Sequence, residues 1–245
     1  MASKTRGGDL AKKNTHPAAD GSATSSLLHG EKLKQLHATM VKCRRAQKRF
    51  HAAHAAKGRS SGPEAVVAGT VLNLLPDDYV APSLLGRLAQ SISDVEPARP
   101  AGAPKKNDLA MENIVNQLAV ATGIALALKE RKARNIAVLL AREVGPGAKD
   151  YDELLRFAAG RKLPVIYLLQ TATGSEHLRI QAQKCGLPGI TVDGSDAVAM
   201  LRVVQECTRR AREGHGPSLI AYRLSADPLD LMEAYLRKRS LWPQA

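Results

Sequence analysis

Aromatic side chains are scarce in this chain. Phe, Trp and Tyr together make 3% of 245 residues, against 44% hydrophobic residues overall. A core of this composition is aliphatic, built from Leu, Val, Ile and Ala. Cysteine is almost as rare: Cys43, Cys185 and Cys207 are an odd number with no close pair. That excludes a disulfide scaffold and a clustered thiolate metal site, and it suits a reducing cytoplasm. No signal peptide and no apolar run of membrane-spanning length is evident, which points to a soluble cytoplasmic protein. Carboxylates are thin in one quarter of the chain only. Residues 1 to 62 hold 13 Lys and Arg against 3 Asp and Glu, so +10 of the formal +13 sits there and the other 183 residues carry +3.

Residues 1 to 27 are rich in Gly, Ser, Ala, Thr and Lys without apolar periodicity and are expected to form a disordered basic tail. A helix is expected from near Gly30 past His51, with Leu33, Leu36, Met40 and Cys43 on its buried face and Lys42, Arg44, Arg45, Lys48 and Arg49 on the other. A second helix starts at Gly62-Pro-Glu64 with Pro at its first position and runs to Leu74. Pro82 to Leu88 is a short segment, and Val95 to Asn107 a Pro, Ala and Lys-rich loop. A long, largely buried helix covers Met111 to Arg131. Then strands at Ile136 to Leu140, Leu163 to Leu169, Gly189 to Val192 and Ser218 to Tyr222 alternate with helices at Asp150 to Gly160, Glu176 to Lys184, Ala197 to Glu213 and Pro228 to Arg239. Such alternation specifies an α/β fold with a mostly parallel sheet and helices on both faces, preceded by a helical N-terminal region. The expected organisation is one domain over 28–245, with a helical part at 28–110 and an α/β core at 111–245.

Open α/β sheets place ligands at the C-terminal ends of their strands. Here that location is the loop Ala141-Arg-Glu-Val-Gly-Pro-Gly147 and the residues after Leu169. Several collinear segments carry a resemblance: Leu36 to Arg49, Gly62-Pro-Glu-Ala65 with Leu75-Pro-Asp-Asp-Tyr79, Gln117 to Lys129, Gly186-Leu-Pro-Gly-Ile-Thr-Val-Asp-Gly194, Gly216-Pro-Ser-Leu-Ile220 and Asp227-Pro-Leu229. In their order they resemble the α subunit of the thiamine-diphosphate (ThDP)-dependent dehydrogenase component of 2-oxo acid dehydrogenase complexes, of the pyruvate or branched-chain type. The resemblance implies a ThDP-binding fold that pairs with a homologous β subunit and shares the cofactor with it. It also implies a Mg²⁺-bound diphosphate held by a Gly-Asp-Gly loop and by an Asn after the next strand.

Against that pattern the aligned loop reads Arg142-Glu143-Val144. Glu143 keeps a carboxylate at the metal-binding position but adds a methylene, which moves its oxygens by about 1.5 Å. A Mg²⁺ shell of near-octahedral oxygens tolerates such a shift poorly. Ala172, preceded by Thr171, stands where the resemblance expects the Asn, and the Thr171 hydroxyl is the nearby substitute. Leu84 and Leu85 stand at the positions of a Tyr and an Arg that reach the phosphates, and Arg87 at a His. Leucines there suggest a pocket filled by packing. The His-bearing loop after the last strand is missing, since Arg223-Leu-Ser-Ala leads straight to Asp227.

The leading expectation is therefore a degenerate, noncatalytic relative, a structural or regulatory subunit that forms a homo-oligomer or pairs with a β-like subunit. A second reading keeps the enzyme. In it ThDP and Mg²⁺ bind a rebuilt site through Glu143, with Arg142 or Arg87 on a phosphate oxygen and a β subunit supplying the rest. A third has the basic N-terminal region bind nucleic acid or an acidic partner. His51 and His54 have the spacing of a helical metal pair but read as surface histidines. Asp193 or Ser195 is expected to cap a helix, and Trp242 to pack the terminal helix.

Overall fold

The computed structural model describes residues 30–54, 62–93, 113–142, 150–172 and 175–242, with the side chains of 50–54 and 150 left aside. The expected tail at 1–27, the loop at 95–107 and the side chains of His51 and His54 lie outside the described residues. In chain order the elements are α1 (Gly30–His54), α2 (Glu64–Val71), β1 (Tyr79–Val80), α3 (Leu84–Ile92), α4 (Ile114–Glu130), β2 (Ala137–Arg142), α5 (Asp150–Gly160), β3 (Val165–Gln170), α6 (Glu176–Lys184), β4 (Gly189–Asp193), α7 (Ala197–Arg212), β5 (Ser218–Arg223) and α8 (Pro228–Lys238). The strands form one sheet in the order β1-β2-β3-β5-β4, with every neighbouring pair parallel. Helical connections between the strands allow that geometry.

Period-two alternation divides the strand residues between two cores. Leu139, Ala141, Tyr167, Leu169, Leu219 and Ala221 pack against α4, α5 and α6. Val138, Leu140, Ile166, Leu168, Ile220 and Tyr222 pack against α2, α3 and α7. Because both faces are covered, the strands read as continuous apolar runs, and β2, β3 and β5 are buried except at their last residue. A third cluster holds the N-terminal helix onto this body: Leu33, Leu36 and Met40 of α1 meet Ala65, Ala68, Leu201, Leu229, Met232 and Leu236.

Three elements differ from the sequence expectation. Residues 79 and 80 form a short edge strand, paired through Tyr79↔Ala137 and Val80↔Val138, and the segment after Pro82 is a full helix, α3. Two residues are too few to give a period, and β1 owes its place to Asp78. Asp78 is 1% exposed and accepts from the Ile136 N–H at 2.9 Å and the Leu75 N–H at 2.8 Å. It also receives the Arg212 guanidinium from the end of α7. The second helix is shorter than expected at both ends: Pro63 is its N-cap rather than its first residue, and it stops at Val71. Its end is closed by the Asn73 amide, which donates to Gly69 O at 2.7 Å and to Leu201 O at 3.0 Å.

On the opposite side, Arg44 of α1 reaches two carboxylates. Its Nε donates to Glu64 Oε1 at 2.7 Å and its Nη2 to both oxygens of Asp227 at 2.8 and 2.9 Å. The chain's one tryptophan, Trp242, closes the α1–α8 seam: its ring meets His37 edge-on at 5.1 Å, and the Arg237 guanidinium lies 4.8 Å from its centre.

Candidate functional site

All five strands end on one edge, and the segments leaving them gather there. At the end of β1, Ser83 caps α3, accepting from the Gly86 N–H at 2.8 Å while its hydroxyl donates to Leu140 O at 2.5 Å. The next two residues diverge. Leu85 is 7% exposed and joins the core, whereas Leu84 stands 61% exposed. Packing therefore fills only one of the two leucine positions, which corrects the expectation that both are buried.

Arg142 is the last residue of β2 and is exposed. Glu143 and Val144 lie outside the described residues. Register puts Arg142 beside Gln170 and Gln170 beside Tyr222. With strands about 4.8 Å apart, Arg142 and Tyr222 stand about 10 Å apart across the edge. Thr171 is buried and Ala172 exposed. The Thr171 N–H is committed to Tyr222 O at 3.0 Å. So the structure brings Arg142, Thr171 and Ala172 to one edge, as the sequence expects.

Tyr222 is the residue that sequence reading missed, because a phenol inside an apolar strand looks like one more core side chain. It is fully buried, and its hydroxyl has no hydrogen-bond partner among the described residues. Burial pushes its ionisation far up, with the Arg142 charge pulling weakly the other way. Gly194 lies directly over it: a Cβ there would come within 2.6 Å of Tyr222 Cδ2.

The β4 and β5 ends are tied to each other. Asp193 accepts from the Ser195 N–H at 2.8 Å and from the Ser225 hydroxyl at 2.6 Å. Ser195 Oγ donates to Ala226 O at 3.0 Å and accepts from the N–H groups of Ser225 and Ala226 at 2.9 and 3.1 Å. Burial alone would raise the Asp193 carboxyl, but the hydrogen bonds from Ser225 and Ser195 outweigh it and hold the group below the ordinary aspartate value. The cap of α7 is Asp196, accepting from Val198 and Ala199 N–H at 3.0 and 2.9 Å, and not Asp193 or Ser195. Asp227 caps α8 in the same way. Among the described residues no cluster of three His, Cys, Asp or Glu side chains has metal-binding geometry. The three thiols are free and buried, and burial pushes the Cys207 thiol up to about 11, far from a reactive thiolate.

A parallel sheet with helices on both faces and its loops collected at the C-terminal edge defines an open α/β domain, the class that places ligands at that edge. Residues 83–226 match the dehydrogenase E1 component family, and the chain belongs to that family. It is 36% identical over 111 residues to the pyruvate dehydrogenase E1 component subunit alpha of Staphylococcus aureus (strain Mu50), covering 41% of this chain and 30% of that protein. With the 2-oxoisovalerate dehydrogenase subunit alpha of Bacillus subtilis (strain 168) it shares 32% identity over 140 residues, 51% of this chain and 42% of the relative. The chain thus spans less than half the length of the curated relatives it matches. Among solved structures it is similar to benzoylformate decarboxylase from Polynucleobacter necessarius, at 16% identity and a TM-score of 0.46, covering 69% of this chain and 35% of that one. No helix among the described residues is long and apolar enough to cross a membrane.

Proposed function

We propose that this chain is a noncatalytic α-like subunit of the cytoplasm whose work is assembly, pairing with a β-like subunit or a second copy of itself. One observation carries the reading: the outer face of α4. Asn116, Ala119, Gly123 and Ala127 are exposed along one stripe, with half-buried Val120 beside them. The stripe holds no charge over about 16 Å of helix. A contiguous uncharged face on a surface helix suits a contact with another chain better than a charged one does. Its small residues let a second helix approach closely, and nothing lies within 4 Å of a Cβ built on Gly123. The relatives named above are themselves described as alpha subunits, which supports the same reading.

The sheet edge supports the noncatalytic half. Its described polar side chains Ser83, Asp193, Ser195, Ser225 and Asp196 are spent on backbone groups and on one another, and Asp227 on backbone and on Arg44. A Mg²⁺-bound diphosphate fits the described residues poorly. Arg142 brings a cation to the strand end, Ala172 brings a methyl, and neither offers a side-chain oxygen to a hard cation. The reading that keeps ThDP, Mg²⁺ and an active 2-oxo acid dehydrogenase site rests on Glu143, outside the described residues, for the metal and on Arg142 or Arg87 for a phosphate oxygen.

Sedimentation of the purified chain, alone and mixed with a β subunit, tests the first half. The Gly123→Arg variant projects into open space and gains helix propensity, so it is expected to melt no lower than the parent while sedimenting as a monomer. An unchanged oligomer in that variant would remove α4 from the interface. Calorimetric titration of ThDP with Mg²⁺ tests the second half: absent or millimolar affinity is expected, and micromolar Mg²⁺-dependent binding would mean that the site has been rebuilt.

A further inference from the structure

Several helices of this protein neutralise a cation with a carboxylate of their own. Arg156 pairs with Asp152, Arg179 with Glu176, Arg209 with Glu206 and Glu213, and Arg237 with Glu233, each one turn away on its own helix. The second half of α1 does not follow this rule. From Lys32 to Pro63 the sequence contains no Asp or Glu. Lys42, Arg45, Lys48 and Arg49 are all exposed on the face opposite Met40 and Cys43, and no described carboxylate pairs with any of them. Arg44, whose side chain turns inward, takes Glu64 and Asp227 for itself.

This arrangement works against the helix. Lys42 and Arg45, Arg45 and Lys48, and Arg45 and Arg49 are like charges at i,i+3 or i,i+4, a spacing that destabilises an isolated helix. The macrodipole rewards cations only in the last turn, and Lys42 and Arg45 precede His54 by more than two turns. Nothing within the described fold relieves the repulsion, so a partner of opposite charge would gain what the helix has left unneutralised.

We infer that the Lys42–Arg49 face of α1 docks an acidic segment of a partner protein. The four cations span about 10 Å of helix, and Lys42, Arg45 and Lys48 follow one another in steps of about 4.5 Å, the interval at which carboxylates recur on one face of an acidic helix. Single-stranded nucleic acid is the less suitable anion, since no aromatic residue stands between Lys42 and Arg49 to stack on a base, and a duplex is the rival that the test sets against the peptide. The face lies on a different helix from the α4 stripe, so the inference stands independently of the proposed pairing through α4.

Fluorescence anisotropy of the full chain with a labelled poly-glutamate peptide tests it, against a DNA duplex of equal charge. Binding of the peptide is expected, weakening as salt rises. Replacing Lys42, Arg45, Lys48 and Arg49 together by Gln is expected to lower its affinity about tenfold or more without lowering the melting temperature, since none of the four is paired. Replacing Lys4, Arg6, Lys12 and Lys13 by Gln is the control and is expected to leave affinity unchanged. Tighter binding of the duplex than of the peptide would overturn the inference, as would no binding, or loss in the control with retention in the helix variant.

Discussion

The two edges of the sheet are built by opposite means. At the N-terminal edge a buried charge does the fastening: Asp78 holds Ile136, Leu75 and Arg212 at once. At the C-terminal edge small polar side chains each hold two or three backbone groups, Ser83 below α3 and Ser195 between β4 and β5. A buried ion pair gives little net stability when intact but is costly to break singly. A hydroxyl on backbone costs less to lose, and can be altered without collapsing the fold. The edge that positions the framework is therefore the intolerant one, and the edge where α/β proteins place ligands is free to drift in sequence.

Asp78→Ala is expected to separate the edges most sharply. It orphans two backbone N–H groups and leaves Arg212 near-buried without its carboxylate, a loss of about 3–5 kcal/mol. Chemical denaturation would read this as a fall in midpoint, and a loss below that of any single C-terminal-edge variant would break the comparison. Ser195→Ala removes three hydrogen bonds from the other edge and is expected to cost about 1–3 kcal/mol, with the α1–α8 cluster still cooperative in the same melt.

Acid sharpens the comparison further. Asp193 and Asp227 are both held below the ordinary aspartate value of 3.8, in each case because hydrogen bonds outweigh burial. A lowered carboxylate stabilises the folded state above its unfolded value and loses that contribution as pH falls through the folded one. Melting temperature is expected to stay level from neutrality down towards pH 4 and then to drop, with Asp193→Asn flattening part of the acid limb. A limb unchanged in that variant would assign the loss to other groups. Tyr222→Phe is the smallest change: removing a buried hydroxyl that has no partner is expected to leave stability level or raise it by about 1 kcal/mol, and a clear loss would mean that the hydroxyl has found a partner in solution.

Most of the fold was legible because covered parallel strands and amphipathic helices write long patterns. β2 to β5 and α5 to α8 fall within two residues of their expected ends, the usual uncertainty of a boundary, and α4 begins three residues later than expected. What escaped was set by single long-range bonds. β1 follows from Asp78 reaching Ile136, 58 residues away, and no local pattern encodes that. α3 carried a signal that went unread, Ser83 at its N-cap. The α7 cap was misplaced by one residue from Ser195 to Asp196, since three cap-forming residues stand within four positions there. The positions of Arg142, Thr171 and Ala172 were legible as strand ends. The buried hydroxyl of Tyr222 was not, because sequence cannot tell a satisfied phenol from an orphaned one.

The indole of Trp242 sits where α1 meets α8, against the imidazole of His37 and the guanidinium of Arg237. As the chain contains no second tryptophan, its tryptophan emission comes from that seam alone. The protein therefore carries an intrinsic optical gauge of how α1 is seated, one that would register a partner arriving on the same helix without any added dye.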